Sequence, residues 1–161
     1  MQEQHTTLFE KPDLRKLKPA LQETVLFRTL SEQKLDTVIK YAQLRSFRTD
    51  EHVFFEGDKG SALFIVLRGI VDIVRHNHGK HMPIATLKKG MFFGEMAHAF
   101  DTPRTATALV TNDALLACLF KHDLDQLVKH YPALGKKVIE IINKIIAQRL
   151  SSAIERKEKH R

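Results

Sequence analysis

The spacing of apolar and polar positions divides the chain into stretches with different periods. Residues 1–19 are polar, contain Pro12 and Pro19 and hold no sustained period, so they read as an N-terminal arm. Residues 20–42 read as helical. Ser31 after Leu30 is an N-cap signal, and Leu35 stands where a hydrophobic staple folds back on Leu30. Leu35, Val38, Ile39 and Ala42 then recur at helical spacing. Over 43–120 the pattern changes to short strands, predicted at 53–55, 63–67, 70–74, 82–87, 106–110 and 115–120. Gly57-Asp58, Gly60, Gly69, Asn77-His78-Gly79 and Lys89-Gly90 part them. Strands broken this often by turn residues predict an antiparallel barrel or sandwich.

Helical spacing returns over 121–155. A short helix at 123–130 is expected to stop near Pro132, and a long one to run over 133–155. The long helix carries Val138, Ile141, Ile142, Ile145, Ile146, Leu150 and Ile154, a stripe wider than covering a barrel requires. One side is expected to pack on the barrel or to cap a bound ligand, and another to pair with a second chain in a parallel helix dimer. Residues 156–161 read as a charged tail. The expected fold class is α+β: an antiparallel jelly-roll-like β-barrel flanked by N-terminal helices and two C-terminal helices, one domain over 20–155.

Composition narrows the setting. A length of 161 residues with 43% hydrophobic positions suits one domain with its own core. Cys118 is the single cysteine, so no intramolecular disulfide can form, and its apolar surroundings mark it as a small buried hydrophobe. It also cannot hold an iron–sulfur cluster. No apolar run reaches membrane-spanning length, and the start Met1-Gln2-Glu3-Gln4-His5 lacks the regions of a secretory signal. The expected location is the cytoplasm. The net charge of +7 suits an anionic ligand, but the charges are spread along the chain and alternate in sign near its end. Nothing in that pattern argues for reading DNA.

The chemistry concentrates in Phe93-Gly94-Glu95-Met96-Ala97 and, a few residues on, Asp101-Thr102-Pro103-Arg104-Thr105-Ala106-Thr107. Gly94 permits a tight turn and close approach of backbone to a ligand. The following residues can form one helical turn whose free N–H groups suit an anion. Glu95, when ionised, only accepts, so it can receive hydroxyl protons. Arg104 offers a planar fork for two phosphate oxygens. An acceptor for sugar hydroxyls beside a donor fork fits a small phosphorylated sugar.

These residues resemble the phosphate-binding cassette of the cyclic nucleotide-binding domains, with spacing like that of protein kinase A regulatory subunits. Gly57-Asp58-Lys59-Gly60, followed by Leu63-Phe64-Ile65-Val66 and Gly69, resembles that family's other signature. The resemblance covers about residues 20–155. It implies that Glu95 accepts the ribose 2′-hydroxyl and that Arg104 holds the cyclic phosphate. It further implies that backbone N–H groups near Gly94, Met96 and Ala97, and near Thr105 and Ala106, complete the cradle. Thr105 tilts slightly toward cGMP, but some cAMP-preferring members carry threonine there too, and cAMP is the expected ligand.

Two departures from the family stand out. His98 replaces the usual aliphatic residue and is read as a neutral space-filler, the alternative being a partly charged donor near the ligand. No helix-turn-helix follows the long helix, so the domain is expected to act through a protein partner or to be a piece of a longer protein. Other readings are a cyclic di-GMP site, a ligand-independent interaction module, or a metal-dependent cupin-like enzyme built on His76, His78 and His81. The histidines lack a following carboxylate and a matching later histidine, so the expectation is a regulatory domain with no metal, no cofactor and no catalytic residue.

Overall fold

The two longest apolar runs of the chain become the two central strands of one antiparallel sheet. A computed structural model of the protein describes residues 13–160. In chain order these form helix α1 (Leu14–Gln22), helix α2 (Glu32–Ile39), strands β1 (Gln43–Phe47), β2 (His52–Phe54), β3 (Ala62–Asn77), β4 (Lys80–Leu87) and β5 (Phe92–Phe93), helix α3 (Glu95–Phe100), strand β6 (Thr107–Phe120), and helices α4 (Lys121–His130) and α5 (Pro132–Lys159). The bonded order is β1-β6-β3-β4, with β2 added to β6 and β5 to β3. The six-stranded sheet is not closed, but the α+β, jelly-roll-like architecture with flanking helices is as expected.

Strand geometry explains why those runs are apolar at every position. Side chains alternate between the two faces of a strand, so an unbroken apolar run needs both faces covered. On one face Leu63, Ile65 and Leu67 of β3 and Leu115, Ala117 and Leu119 of β6 join a core with residues of α1, α2, α4 and α5. On the other, Ala62, Phe64, Val66, Ala114, Leu116 and Cys118 form a second core inside the roll. Burial pushes the Cys118 thiol up to about 12, which makes it an inert filler there.

Two predicted strands fuse into β3, and two more into β6. The β3–β6 register shifts repeatedly between Val66 and Val71, so Gly69 sits within a bulged strand instead of ending one. Its φ of +87° and an added Cβ's approach to within 2.2 Å of the Asp113 carbonyl oxygen both demand glycine. The bulges also change parity: beyond them the odd-numbered Val71 takes the inner face that Val66 held before. β1 and β5 were absent from the predicted strands, because Gln43–Phe47 is half polar and Phe92–Phe93 is two residues long.

The helices follow their local signals with three corrections. Ser31 caps α2 by accepting the Lys34 N–H at 3.3 Å, and Leu30 and Leu35 are both buried in the same core. The helical stretch 20–42 is two helices with turns between them, since α1 ends at Gln22 and α2 starts at Glu32. The arm reading of 1–19 fails where it can be judged: residues 14–19 belong to α1, and 1–12 lie outside the described residues. Leu17, Ala20 and Leu21 pack on the core, and that burial outweighs the donor missing at Pro19. Residues 156–159 of the charged tail continue α5, which runs through Lys159 with Pro132 in its first turn, and Arg161 lies outside the described residues.

Candidate functional site

Arg104 is a buried charge on a loop, and its surroundings come from both glycine-bearing segments. The loop at Gly57-Asp58 pairs with it through the backbone: the Gly57 N–H donates to the Arg104 carbonyl at 2.8 Å, and the Arg104 N–H donates to the Asp58 carbonyl at 2.9 Å. Asp58 in turn closes the loop by accepting the Phe55 N–H at 2.8 Å. The guanidinium, only 5% exposed, lies 4.2 Å from the centroid of the Phe54 ring. Its Nη1 donates to the Gly94 carbonyl and its Nη2 to the Ala62 carbonyl, each at 3.0 Å. Its buried Nε has no partner among the described residues. Burial lowers its pKa from the ordinary arginine value, while nearby Asp58 and Glu95 oppose that shift.

Gly94 makes this approach possible. Its φ is +83°, and a Cβ there would sit 2.8 Å from the Ala62 carbonyl oxygen and 2.9 Å from Arg104 Nη1. Glu95 opens α3 immediately after it and is 7% exposed. Its Oε1 accepts a short charge-assisted hydrogen bond from Nη1 of Arg149, a residue of α5. Arg149 Nη2 donates to the Phe92 carbonyl at 3.2 Å, and the guanidinium lies 4.0 Å from the centroid of the Phe92 ring. His98, also on α3, is buried with neither ring nitrogen bonded. Its pKa is lowered by burial first and by Lys121 and Arg104, against an opposing pull from Asp125.

Arg104, Glu95 and Arg149, but not His98, border one cavity of about 680 Å³, within the roughly 300–1,000 Å³ usual for small-ligand sites. Gly94, Glu95, Met96, Arg104, Thr105 and Ala106 all line it. Ala97 follows Met96 in the first turn of α3. Phe54, Ile73, Ala85 and Leu87 supply an apolar wall from the sheet, and α5 supplies Ile145, Gln148, Arg149, Ser152, Ala153 and Arg156. The cavity therefore joins a buried donor fork, a carboxylate and a flat apolar surface, which suits an anionic ligand with hydroxyls and a ring.

The sequence reading set one face of the long helix on the barrel or over a bound base, but it did not single out Arg149. Its signal was present: Arg149 continues the stripe Val138, Ile142, Ile145 and Ile146, four of the buried positions of α5, at helical spacing. An arginine in line with a buried stripe points toward the core surface that the stripe covers. The histidines of the β3–β4 hairpin lie elsewhere. His76 and His81 face each other across the strands with ring centroids 4.3 Å apart. Among the described residues no three metal-ligating side chains gather, and no helix is long and apolar enough to cross a membrane.

Comparison with known proteins agrees with this geometry. Residues 44–131 match the cyclic nucleotide-binding domain, a stretch that takes in all of the sheet but Gln43, together with α3 and α4. The cyclic AMP receptor protein of Thermus thermophilus is 31% identical over 129 residues, 80% of this chain and 58% of that protein. Human cGMP-dependent protein kinase 2 is 29% identical over 119 residues, 72% of this chain and 16% of the kinase. The chain thus spans less than two thirds of each of these relatives. A cyclic nucleotide-binding domain from Methylobacillus flagellatus shares the fold, with a TM-score of 0.81 at 23% identity over 91% of this chain and 85% of that one. With the matched segment covering the sheet and both signature loops, the chain belongs to the cyclic nucleotide-binding domain family.

Proposed function

We propose that this domain binds a cyclic purine mononucleotide, cAMP ahead of cGMP, and passes occupancy through α5 to a protein partner or output domain. The observation that carries the reading is that the buried Arg104 guanidinium and the Glu95 carboxylate line one cavity. Arginine has five N–H donors, and Arg104 spends two on carbonyls, so its Nε and the remaining Nη protons are the phosphate donors. Glu95 accepts the ribose hydroxyl. Backbone N–H groups at Gly94, Met96, Ala97, Thr105 and Ala106 complete the phosphate cradle. The lean to cAMP draws on the larger share of this chain matched by the cyclic AMP receptor protein, 80% against 72% for the cGMP-dependent kinase. Nothing in the cavity calls for catalysis, so the domain acts by binding. A lone buried thiol accords with a reducing, cytoplasmic setting.

Coupling follows from where α5 sits. The helix walls the cavity, so a ligand that touches it favours one α5 arrangement over others by its differential affinity. The test is calorimetric titration of the wild type and of Arg104→Ala with cAMP and cGMP. Micromolar or tighter binding is expected, weakened on the order of 30-fold to several thousand-fold by the substitution, from the roughly 2–5 kcal/mol cost of truncating a buried charged partner. No binding to either nucleotide overturns the reading and turns the search to cyclic di-GMP or a protein ligand.

A further inference from the structure

We propose that Arg75 is a positioning residue for the phosphate cradle, whose bond to the Thr105 carbonyl aims the Ala106 N–H of the same peptide group into the cavity and strengthens it as a donor. The proposal rests on the cyclic-nucleotide reading above and assigns what fixes the cradle on its Thr105–Ala106 side.

Antiparallel pairing of β3 with β6 stops at Val74 and Thr107. Two further steps of that register would set His76 opposite Thr105, but Thr105 and Ala106 precede β6 and leave the sheet. A segment that leaves a sheet must find other partners for its backbone groups. Here the Arg75 side chain takes over, and its Nε–H donates to the Thr105 carbonyl at 3.2 Å. Arg104 before it is held by its backbone bonds to Gly57 and Asp58, and Thr107 after it accepts the Glu56 N–H on Oγ1 at 2.9 Å. Thr105 and Ala106 therefore span two fixed points. Neither of their N–H groups donates a hydrogen bond among the described residues.

The geometry of the peptide group makes a bond outside the cavity matter inside it. The Thr105 carbonyl and the Ala106 N–H are two ends of one planar trans peptide and point in opposite directions. With the carbonyl turned to Arg75 on β3, the N–H is turned away from it. Thr105 and Ala106 line the cavity, and Arg75 does not. A charged donor on the carbonyl also polarises the group, because linked hydrogen bonds strengthen one another. No carboxylate pairs with Arg75 among the described residues, so its charge adds to that of Arg104 in favour of an anion. Arg75 thus acts on the phosphate through the backbone, without touching it.

Arg75 is exposed, so its substitution leaves the core intact. Arg75→Met removes the donor. Arg75→Gln keeps a neutral one, since the glutamine amide nitrogen stands as many bonds from the backbone as the arginine Nε. Wild type and both variants are titrated with cAMP and with its two phosphorothioate diastereomers. In each diastereomer sulfur, a weak acceptor, replaces one of the two exocyclic oxygens. Arg75→Met is expected to weaken cAMP by roughly three- to tenfold, the scale of one net hydrogen bond, and Arg75→Gln to recover most of that loss. The loss persists for one diastereomer and shrinks below about twofold for the other, whose sulfur has already given up the Ala106 N–H. A purely structural role would weaken all three ligands alike. Equal losses for the three ligands, or Arg75→Met that binds cAMP like wild type, overturn the proposal, as does Arg75→Gln that binds no better than Arg75→Met. Wild type that binds none of the three overturns the nucleotide reading and this role with it, a result distinct from a wild type that binds and variants that are indifferent. Unchanged thermal midpoints confirm that each variant folds.

Discussion

At the scale of single residues, the site consists of charges that folding has taken out of water and given partners. Arg104 loses solvent but gains two carbonyls and an aromatic face, and Glu95 loses solvent but gains Arg149. His98 gains nothing, since both ring nitrogens are buried without partners. Its neutral form is the one the fold tolerates, because burial and the cations Lys121 and Arg104 all oppose the proton. With the folded pKa below the ordinary 6.5, the unfolded chain binds the proton more tightly. Stability is then fully present above that value and lost as pH falls through it toward the folded pKa. Thermal unfolding of the wild type between about pH 7.5 and about pH 5 should show this loss, and His98→Leu should flatten it. An unchanged pH slope in the variant would assign the acid limb to other groups. That Glu95 and Arg104 share one cavity was legible from their chemistry and from Gly94 between the two segments. Arg149 was harder to read, although it continues the buried stripe of α5, because its partner Glu95 stands 54 positions away.

At the scale of elements, close approach decides what composition leaves open. In α5 Gly135 packs against α4 so tightly that an added Cβ would lie 2.6 Å from Val128 Cα and 2.8 Å from its backbone N. Alanine normally favours a helix over glycine by about 1 kcal/mol, yet here backbone would have to move. Gly135→Ala is expected to destabilise by about 2 kcal/mol, the usual scale of overpacking, read as a lower urea midpoint with unchanged slope. A rise in the midpoint would mean that α4 and α5 separate freely. Gly69 illustrates the same limit for strands. Its sequence signal was a turn, and the structure uses it for a bulge that switches which side chains of β3 face the inner core. Gly94 was the legible case, since a positive φ and a neighbouring acceptor are what its motif predicts.

At the scale of the molecule, the domain has a packed half and a projecting half. The buried residues of α5 end at Ile146, while Leu150 is 41% exposed and Ile154 58% exposed. Two large apolar residues one turn apart on the exposed part of the helix are the feature expected of a seam with a second copy. Sedimentation at high protein concentration, with and without cAMP, tests this. A dimer that Leu150→Glu dissociates is the expected outcome, and a monomer under both conditions would remove the dimer from the account. Arg149 meets Glu95 just beyond Ile146, the last buried residue of α5.

What the sequence determined alone was whatever depends on neighbours along the chain. Strand periodicity, the Ser31 cap, the turn glycines and the chemical types at 94–97 and 104–106 all act over a few residues, so one dimension suffices to read them. The tertiary structure decided what depends on contacts between distant segments. The fusion of predicted strands into β3 and β6 required the register between them. The helical state of 14–19 required a core for Leu17 and Leu21 to bury against. The Glu95–Arg149 pair required α5 to fold back across the cavity. Local signals are written in adjacent residues, but a partner 54 positions away is selected only by packing.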